Sequence, residues 1–304
     1  MRRRENIIKW LMAGDPAIRW QVLRGLVHAT DDEVLAERVR VAREGWGAAI
    51  LDLQQPNGQF GADRDWGWMN TIRTLTLLRE LGVLPTDERV QGAVERAGTL
   101  RFEEHGERLF FEGEVEACLN GRILGIGAYF GVPSERLAAQ LVGEQLTDGG
   151  WNCDAPPSVR SSVHSTICVL EGMAAYERAV AGSDDVRGAR LKGEAYLLDR
   201  RLMYRRGTEE LIDKRILRFG FPSGYEYDAL RALDHFRDVG AEPDPRMADA
   251  IEAVRKRMHQ NGLWPLNRIG RDPGALVPEP DVGAPSRWNT LRAMRVLDWW
   301  AAAR

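Results

Sequence analysis

Arg19-Trp20-Gln21 is the first of six similar tripeptides, each of which stands at the start of an apolar stretch of the chain. The others are Trp68-Met69-Asn70, Cys118-Leu119-Asn120, Val163-His164-Ser165, Glu226-Tyr227-Asp228 and Arg287-Trp288-Asn289. Their third residues follow one another at intervals of 49, 50, 45, 63 and 61 positions. Each interval has room for two helices and two loops, which is the unit of a helical repeat array. Six such units predict a closed ring.

The third residue of every tripeptide is polar, whereas the neighbouring turns of the same stretch are apolar. Large aromatic side chains stand beside several of these polar groups. This combination favours polar side chains that face a shared central space. A solvated helix face is the alternative interpretation.

Apolar residues recur at intervals of three and four after each tripeptide, which is the pattern of an amphipathic helix. In 71–82, for example, the leucine spacing suits a helix that Gly82 ends. The pattern predicts six inner helices, at about 16 to 28, 67 to 82, 116 to 131, 161 to 179, 224 to 240 and 286 to 302.

More charged segments alternate with these stretches and predict outer, solvent-facing helices. They lie at roughly 33 to 53, 87 to 102, 134 to 146, 187 to 205 and 245 to 259, and the stretch Asn6 to Ala13 supplies the sixth. Strand-like alternation is scarce. The predicted fold class is therefore all-α: an (α/α)6 toroid of six inner and six outer helices. We expect a single domain over residues 1–304, in which the N-terminal helix closes the ring against the C-terminal helix.

Composition excludes several functional classes. The formal net charge is −3 and both signs are interspersed, so we expect no nucleic-acid partner. There is no run of 18 apolar residues, and residues 1 to 15 lack the features of a secretory signal, so we expect no transmembrane segment. Three cysteines are too few for a disulfide framework in a chain of 304 residues, which predicts reduced thiols and a cytoplasmic location.

Three predicted connections between outer and inner helices share a pattern of Gln, Gly and an aromatic residue. They are Gln54-Gln55-Pro56-Asn57-Gly58-Gln59-Phe60, Gln145-Leu146-Thr147-Asp148-Gly149-Gly150-Trp151 and Met258-His259-Gln260-Asn261-Gly262-Leu263-Trp264. The second matches fully; the first ends in Phe and the third begins with Met. The pattern resembles the Gln-x-x-x-Gly-x-Trp repeat of squalene-hopene cyclases and protein prenyltransferase β-subunits, which implies their (α/α)6 toroid. We assign it to architecture: Gln caps the outer helix, Gly permits a left-handed turn and the aromatic ring fills the seam.

A second resemblance concerns Glu116-Ala117-Cys118 and Val163-His164-Ser165. These two segments are similar to the zinc site of protein prenyltransferase β-subunits, where Asp-x-Cys begins one inner helix and a His begins the next. The resemblance implies that Cys118 and His164 bind zinc (Zn²⁺), with Glu116 in the place of the family's Asp. Cys153 precedes the His helix and is a further candidate, since lanthipeptide cyclases use a similar set of two thiolates and one imidazole. Whether Glu116 or Cys153 completes the site stays open.

The spacing within the candidate zinc site is itself informative. Residues two apart on a regular helix point to nearly opposite faces, so Glu116 and Cys118 share a metal only if Glu116 precedes the first full turn. The helix N-terminus and Arg122 one turn on predict that Cys118 ionises more readily than a free cysteine. The alternative is a buried thiol and a core imidazole, and Cys168 is predicted to be core packing.

Other residues are candidates for catalysis and for a substrate cavity. Glu114 is the candidate acid or base among the alternating glutamates before the third inner helix, although first-turn acids also complement the helix dipole. The remaining catalytic candidates are Asp154, Tyr227 and Asp228. Aromatic walls with a few polar groups suit a cavity for an apolar or amphipathic molecule, and packing between helices is the alternative. The cavity candidates are Trp20, Trp66, Trp68, Asn70, Arg73, Asn120, Tyr225, Trp288 and Asn289.

The sequence lacks the motifs of two related classes of cyclase. Squalene-type cyclases protonate their substrate with an Asp-x-Asp-Asp run, and Asp63-Arg64-Asp65-Trp66 lacks the final acid. Asp31-Asp32-Glu33 and Asp184-Asp185 are predicted helix starts rather than magnesium motifs.

The predicted function is that of a zinc-dependent transferase, hydrolase or cyclase acting on a small apolar or amphipathic substrate in a central cavity. No obligatory protein partner is evident. One alternative is a metal-free terpenoid cyclase that uses Asp65 or Asp228 as its acid. The other is a non-catalytic toroid that binds a small molecule.

Overall fold

The computed structural model describes residues 2–60, 67–103, 106–269 and 281–302. Over these ranges the chain forms thirteen α-helices, a few short 3-10 and π turns, and one ladder of two-residue strands. Asp65 and Trp66 lie outside the described residues. The chain divides into two compact units: Met1–Ala49 with Leu81–Val83 and Leu198–Arg304 form the first, and Ile50–Glu80 with Leu84–Leu197 form the second.

The first unit contains the helices from both ends of the chain. Helix α4, Gly45–Leu51, begins in this unit and ends in the second. The others are α1 Arg2–Met12, α2 Pro16–Val22, α3 Asp31–Arg38, α11 Ala229–Asp238, α12 Ala248–Lys256 and α13 Arg287–Ala302.

Helix α1 is held in the first unit by apolar and polar contacts. It buries Ile7 and Leu11, and its Arg4 forms a 2.7 Å ion pair with Asp298 of α13. Helix α13 also reaches α2, since Arg295 donates a 2.8 Å hydrogen bond to Gln21. The two ends of the chain therefore contact each other within one unit.

The second unit is formed by the middle of the chain. Strands β1, Arg101–Phe102, and β2, Arg108–Leu109, pair antiparallel between two of its helices. Its helices are α5 Gly67–Leu81, α6 Glu88–Gly98, α7 Ala117–Tyr129, α8 Glu135–Gly143, α9 Val163–Ala179 and α10 Asp184–Leu198. The last residues of α5 and α10, Leu81 and Leu198, belong to the first unit.

Helices α7 and α9 pack backbone against backbone in the second unit. A Cβ atom on Gly172 would collide with the carbonyl oxygen of Gly121, and one on Gly121 would come within 2.6 Å of the carbonyl oxygen of Cys168. Only glycine allows this approach, because it has no Cβ atom. The contact brings the first turns of the two helices close together.

The Gln and aromatic residues of the inter-helix connections join neighbouring hairpins. Gln145 donates hydrogen bonds of 2.8 Å to Gly149 O and 2.7 Å to Ala189 O on α10. Gln54 does the same with Gly58 O at 3.1 Å and Ala93 O of α6 at 2.8 Å. Trp151 is fully buried and its Nε1 donates to Leu141 O at 2.7 Å. The architectural role assigned from the sequence agrees with these contacts.

Several predicted helices have different bounds in the structure. Helix α10 ends at Leu198 rather than near 205, and α6 ends at Gly98 rather than near 102. The segment 33 to 53 is not one helix but two, α3 and α4, because Gly45 has a φ of +62° and Asp15 accepts a 2.8 Å hydrogen bond from Trp46 N–H, which starts a new helix. The helix expected from 224 begins five residues later, at Ala229, because Asp228 caps it by accepting from Arg231 N–H. Caps and left-handed glycines thus override the apolar period.

Candidate functional site

Helix α7 presents the first two candidate ligands at its N-terminus. Glu116 is the N-cap residue, with extended φ and ψ of −84° and 127°, and Cys118 is the second residue of the helix. Because Glu116 precedes the first full turn, its side chain can lie on the same side as that of Cys118. Cys118 Sγ lies 3.5 Å from Glu116 Oε2.

Cys153 reaches the same place from the loop that precedes α9. Its backbone N–H donates a 3.2 Å hydrogen bond to Ser165 Oγ in the first turn of that helix. Its sulfur accepts hydrogen bonds from Ser165 Oγ at 3.3 Å and from Cys118 N–H at 3.2 Å. The Glu116 side chain makes no cap bond to α7, so Cys153 Sγ satisfies a first-turn N–H group instead.

The candidate ligand atoms of Glu116, Cys118 and Cys153 all lie within 4.8 Å of one another. Two sulfurs bound to one zinc at about 2.3 Å stand roughly 4 Å apart, so this spacing fits a shared ion. Thiolate and carboxylate are both zinc ligands. Three of the four predicted ligands are therefore within metal-binding distance, and the donor set fits zinc.

The structure corrects the prediction that Cys118 ionises more readily than a free cysteine. A hydrogen bond between the two thiol groups, and then burial, raise the pKa of Cys118. The same thiol–thiol hydrogen bond, together with that from Ser165, lowers the pKa of Cys153. The first-turn N–H of Cys118 points at the sulfur of Cys153. The helix N-terminus therefore stabilises a thiolate at Cys153.

His164 is not one of the three residues whose candidate ligand atoms lie together. It is the second residue of α9, half-buried, and directly precedes Ser165. Cys168 is 1% exposed, in agreement with a core position.

Glu114 and Asp154 flank the candidate ligands in different environments. Glu114 is 3% exposed and its carboxylate accepts a hydrogen bond from Glu116 N–H at 2.5 Å. Asp154 is exposed next to Cys153, and its N–H donates to Asn152 Oδ1 at 3.0 Å. The Glu114 side chain thus orders the chain before α7, and Asp154 is accessible to solvent.

Tyr227 and Asp228 lie in the first unit, where both are buried. Tyr227 Oη donates to Leu202 O at 2.8 Å. Asp228 caps α11 and forms a 3.2 Å ion pair with Arg268. Both side chains therefore hold the backbone at the start of α11.

The predicted cavity residues of the first unit take part in packing and backbone hydrogen bonds. Trp20 donates to Leu81 O at 2.9 Å, and Trp288 stacks on Phe221 with ring centroids 4.3 Å apart. Asn289 is fully buried and donates to the carbonyl oxygens of Phe219 and Pro265 at 3.1 and 2.9 Å. Tyr225 is half-buried.

In the second unit, Asn120 is fully buried and its amide exchanges two hydrogen bonds with the backbone of Glu114, at 2.7 and 2.9 Å. Trp68 packs edge-on against Phe102 at 5.0 Å. Arg73 donates to Asn70 Oδ1 at 3.3 Å, and these two side chains with Trp68 remain half-buried. Trp66 lies in the part of the chain that is not described.

Ser165 is a site residue that is not among those predicted from the sequence. The tripeptide pattern predicts that it faces a central space, whereas its hydroxyl both accepts from Cys153 N–H and donates to Cys153 Sγ. Its place next to His164 in the tripeptide was the available signal.

Comparisons with known proteins support the fold. No family model matches the sequence, and no curated protein matches it either. The type II terpene cyclase MstE from Scytonema is 15% identical, with a TM-score of 0.51 and full coverage of both chains. A protein from Actinoplanes has a TM-score of 0.49 at 15% identity, over 99% of this chain and 98% of its own. The predicted all-α class and the resemblance to terpenoid cyclases are confirmed at the level of the fold.

A search of the described helices for a membrane span finds no candidate of sufficient length and apolar character.

Proposed function

We propose that the chain is a zinc-dependent enzyme with a terpene cyclase-like fold. The observation that carries the proposal is the group of two cysteine sulfurs and a carboxylate within 4.8 Å of one another at the start of α7. Three protein ligands leave the fourth position of a tetrahedral zinc ion open for water or substrate, which is the arrangement of catalytic zinc sites. Glu116 is the exposed member of the group.

In this proposal Cys118 and Cys153 hold the ion with Glu116 as the third ligand; His164 is the alternative third ligand, so that the fourth position stays open. Bound zinc would activate a thiol or water, or polarise a carbonyl group. Ser165 orients Cys153 from two sides, because one hydroxyl contacts both its N–H and its sulfur. The Cys118 N–H group offsets part of the negative charge on Cys153. Such outer contacts fix the direction of a ligand and tune its basicity.

Asp154 is the proposed general base. It is exposed and directly follows Cys153, so its carboxylate is free to exchange protons with solvent near the sulfur ligands. The buried Glu114 instead supports the ligand loop through its hydrogen bond to Glu116 N–H.

The proposed substrate is a small apolar or amphipathic molecule. Support comes from the half-buried Trp68, Asn70 and Arg73, which combine aromatic, polar and cationic groups in the unit that holds the cysteine pair. A protein with a similar fold is a type II terpene cyclase, and a terpenoid substrate is consistent with that similarity.

Metal analysis of the purified protein tests the proposal. We expect about one zinc per chain, and loss of most of it in Cys118→Ser and in Cys153→Ser. Cys168→Ala is the matched control, because Cys168 is the remaining cysteine and lies outside the ligand group. Zinc content that is equal in all four proteins would contradict the proposal. Circular dichroism spectra separate ligand loss from unfolding.

A second candidate function is a metal-free terpenoid cyclase, which the fold shared with a type II terpene cyclase favours. Asp228 or Asp65 would then supply the proton. Against this candidate, the Asp228 carboxylate already has two partners, since it pairs with Arg268 and caps α11. Cyclisation of a polyprene by zinc-free protein would support this candidate over the first.

A further inference from the structure

Three arginines of the first unit converge on one carboxylate. Asp234 of α11 accepts a 2.8 Å hydrogen bond from Arg237 Nε. On its other oxygen, Arg292 Nε of α13 lies at 3.3 Å and Arg295 Nη2 at 3.6 Å. Asp238 is 3.9 Å from Arg237. Among the described residues, two carboxylates therefore face three guanidinium groups, and one positive charge is in excess.

The positive charges shift the pKa values of this cluster strongly, because the cluster is largely shielded from water. Burial alone would raise the pKa of Asp234, but Arg237, Arg295 and Arg292 outweigh it and hold that pKa well below its usual range. Burial, with Arg237 and Arg292, lowers the pKa of Arg295 to about 10, although Asp234 opposes the shift. The protonated guanidinium of Arg295 is thus incompletely compensated.

Among the described residues, two terminal nitrogens of the α13 arginines in this cluster have no hydrogen-bond acceptor. Arg292 uses Nε for Asp234 and Nη1 for Gly220 O, at 3.4 Å. Arg295 uses Nη1 for Gln21, and its Nη2 stands beyond hydrogen-bond distance of Asp234. Within the described ranges, Nη2 of Arg292 and Nη2 of Arg295 therefore make no hydrogen bond. They lie one turn apart on α13.

Solvent can enter the cluster, although it is shielded. The side chain of Arg295 is 14% exposed and that of Asp234 is 18% exposed. A third guanidinium beside one carboxylate carries a desolvation cost that the shared carboxylate cannot offset. An added oxyanion would accept hydrogen bonds from the two unused nitrogens and neutralise the excess charge.

We infer that the face of α13 formed by Arg292 and Arg295, with Asp234 and Arg237 of α11 and Gln21 of α2, is a binding site for a small oxyanion. Phosphate and carboxylate groups share the required chemistry, because each offers two oxygens to a pair of guanidinium donors. The site lies in the first unit and does not depend on the proposed zinc centre.

Titration of the protein with inorganic phosphate tests this inference. Calorimetry and thermal unfolding are run with phosphate, acetate and chloride at equal ionic strength. We expect saturable binding and a rising Tm with phosphate or acetate, and none with chloride. The anion that gives the larger response identifies the phosphate-bearing or carboxylate-bearing class. Equal responses to all three salts would overturn the site, because only ionic strength would be at work.

Two variants link the response to the arginines. Arg295→Gln removes the excess charge, so the apo protein keeps its Tm or gains some, while its oxyanion affinity falls at least about tenfold. Arg292→Lys keeps the charge but loses the planar donor pair, and it weakens binding even if Arg295→Gln fails to fold. Arg246→Gln, in an exposed pair with Asp244, is the control and keeps wild-type affinity. Wild-type affinity in a folded Arg295→Gln or in Arg292→Lys would refute the assignment.

Discussion

At the scale of single residues, the first turn of α7 acts on a sulfur that belongs to another element. The donor of an N-terminal turn stabilises the atom at which its N–H points. For Cys118 that atom is Cys153 Sγ, at 3.2 Å, so the N–H of the helix residue favours the thiolate form of the loop residue. A sequence identifies which residue begins a helix. Which loop residue then lies against that helix start depends on the tertiary structure.

Ser165 should control the reactivity of Cys153 in metal-free protein. Hydrogen bonds from Cys118 and Ser165 lower the pKa of Cys153, so its thiolate fraction and its alkylation rate rise at a lower pH than those of a free cysteine. Ser165→Ala removes one donor, and we expect the midpoint of the pH–rate profile to move upward by about one unit or less. Iodoacetamide labelling with peptide mass spectrometry measures the rate at each cysteine.

Ser183→Ala serves as the control for this experiment, since the Ser183 hydroxyl bonds to Val180 O rather than to a cysteine. Its profile should match that of the wild type. Faster labelling of Cys118 than of Cys153, or an unchanged midpoint in Ser165→Ala, would contradict the assignment of the lower thiol pKa to Cys153 and of the Ser165 hydroxyl as its donor.

At the scale of elements, helix positions follow from the sequence better than helix contacts do. The apolar period located α5, α7, α9 and α13 to within a few residues, because each has a continuous apolar face. The turn glycines were also predictable, since Gly58 and Gly149 have φ of +89° and +96°. The close approach of α7 to α9 was not predictable from the sequence, because a glycine in the middle of a helix does not indicate which other helix will pack against it.

The candidate site was predictable to a similar extent. Residue type and position in the chain point to Glu116, Cys118 and Cys153, and the structure brings them together. His164 has the expected position in the chain but is absent from the group. Its neighbour Ser165 contacts Cys153 instead. The position of the helix start decides which of two adjacent residues faces the loop. Sequence patterns locate a helix start only to within a few residues.

The glycine contact between α7 and α9 gives a prediction at this scale. Gly172→Ala places a methyl group against Gly121 O, so the helices must separate, and we expect a loss of about 1–3 kcal/mol in unfolding free energy. Separation also moves Cys118 from Cys153, so zinc affinity should fall. Urea unfolding and zinc titration measure the two effects.

Gly188→Ala is the matched control on α10, where an added Cβ would have nothing within 4 Å. There the substitution should be neutral or stabilise the fold by about 0.5–1 kcal/mol, because alanine restricts the unfolded chain. Similar stabilities of the two variants would mean that α7 and α9 do not pack backbone to backbone.

At the scale of the whole molecule, the N-terminal helix gives a prediction about what holds the ends of the chain. Leu11 of α1 is fully buried, so Leu11→Ala should cost about 2–5 kcal/mol of unfolding free energy. Arg4 and Asp298 are 45% and 44% exposed, so Arg4→Ala should cost about 1 kcal/mol or less. Denaturant melts of both variants test whether apolar burial or the ion pair anchors α1. A larger loss in Arg4→Ala would reverse the assignment.

The two proposed ligands should protect different parts of the molecule from hydrogen exchange. A ligand that binds only the closed state slows exchange that passes through local opening by up to about 100-fold at 100 times its Kd. Zinc should therefore slow exchange in the first turns of α7 and α9, which present Cys118 and Ser165 in the second unit. Phosphate should slow it in α11 and α13 of the first unit, around Asp234 and Arg295. Mass spectrometry of peptides from both units reads each effect in one experiment. Protection of the α11 and α13 peptides by zinc, or of the α7 peptide by phosphate, would show that at least one ligand binds somewhere other than the residues assigned to it.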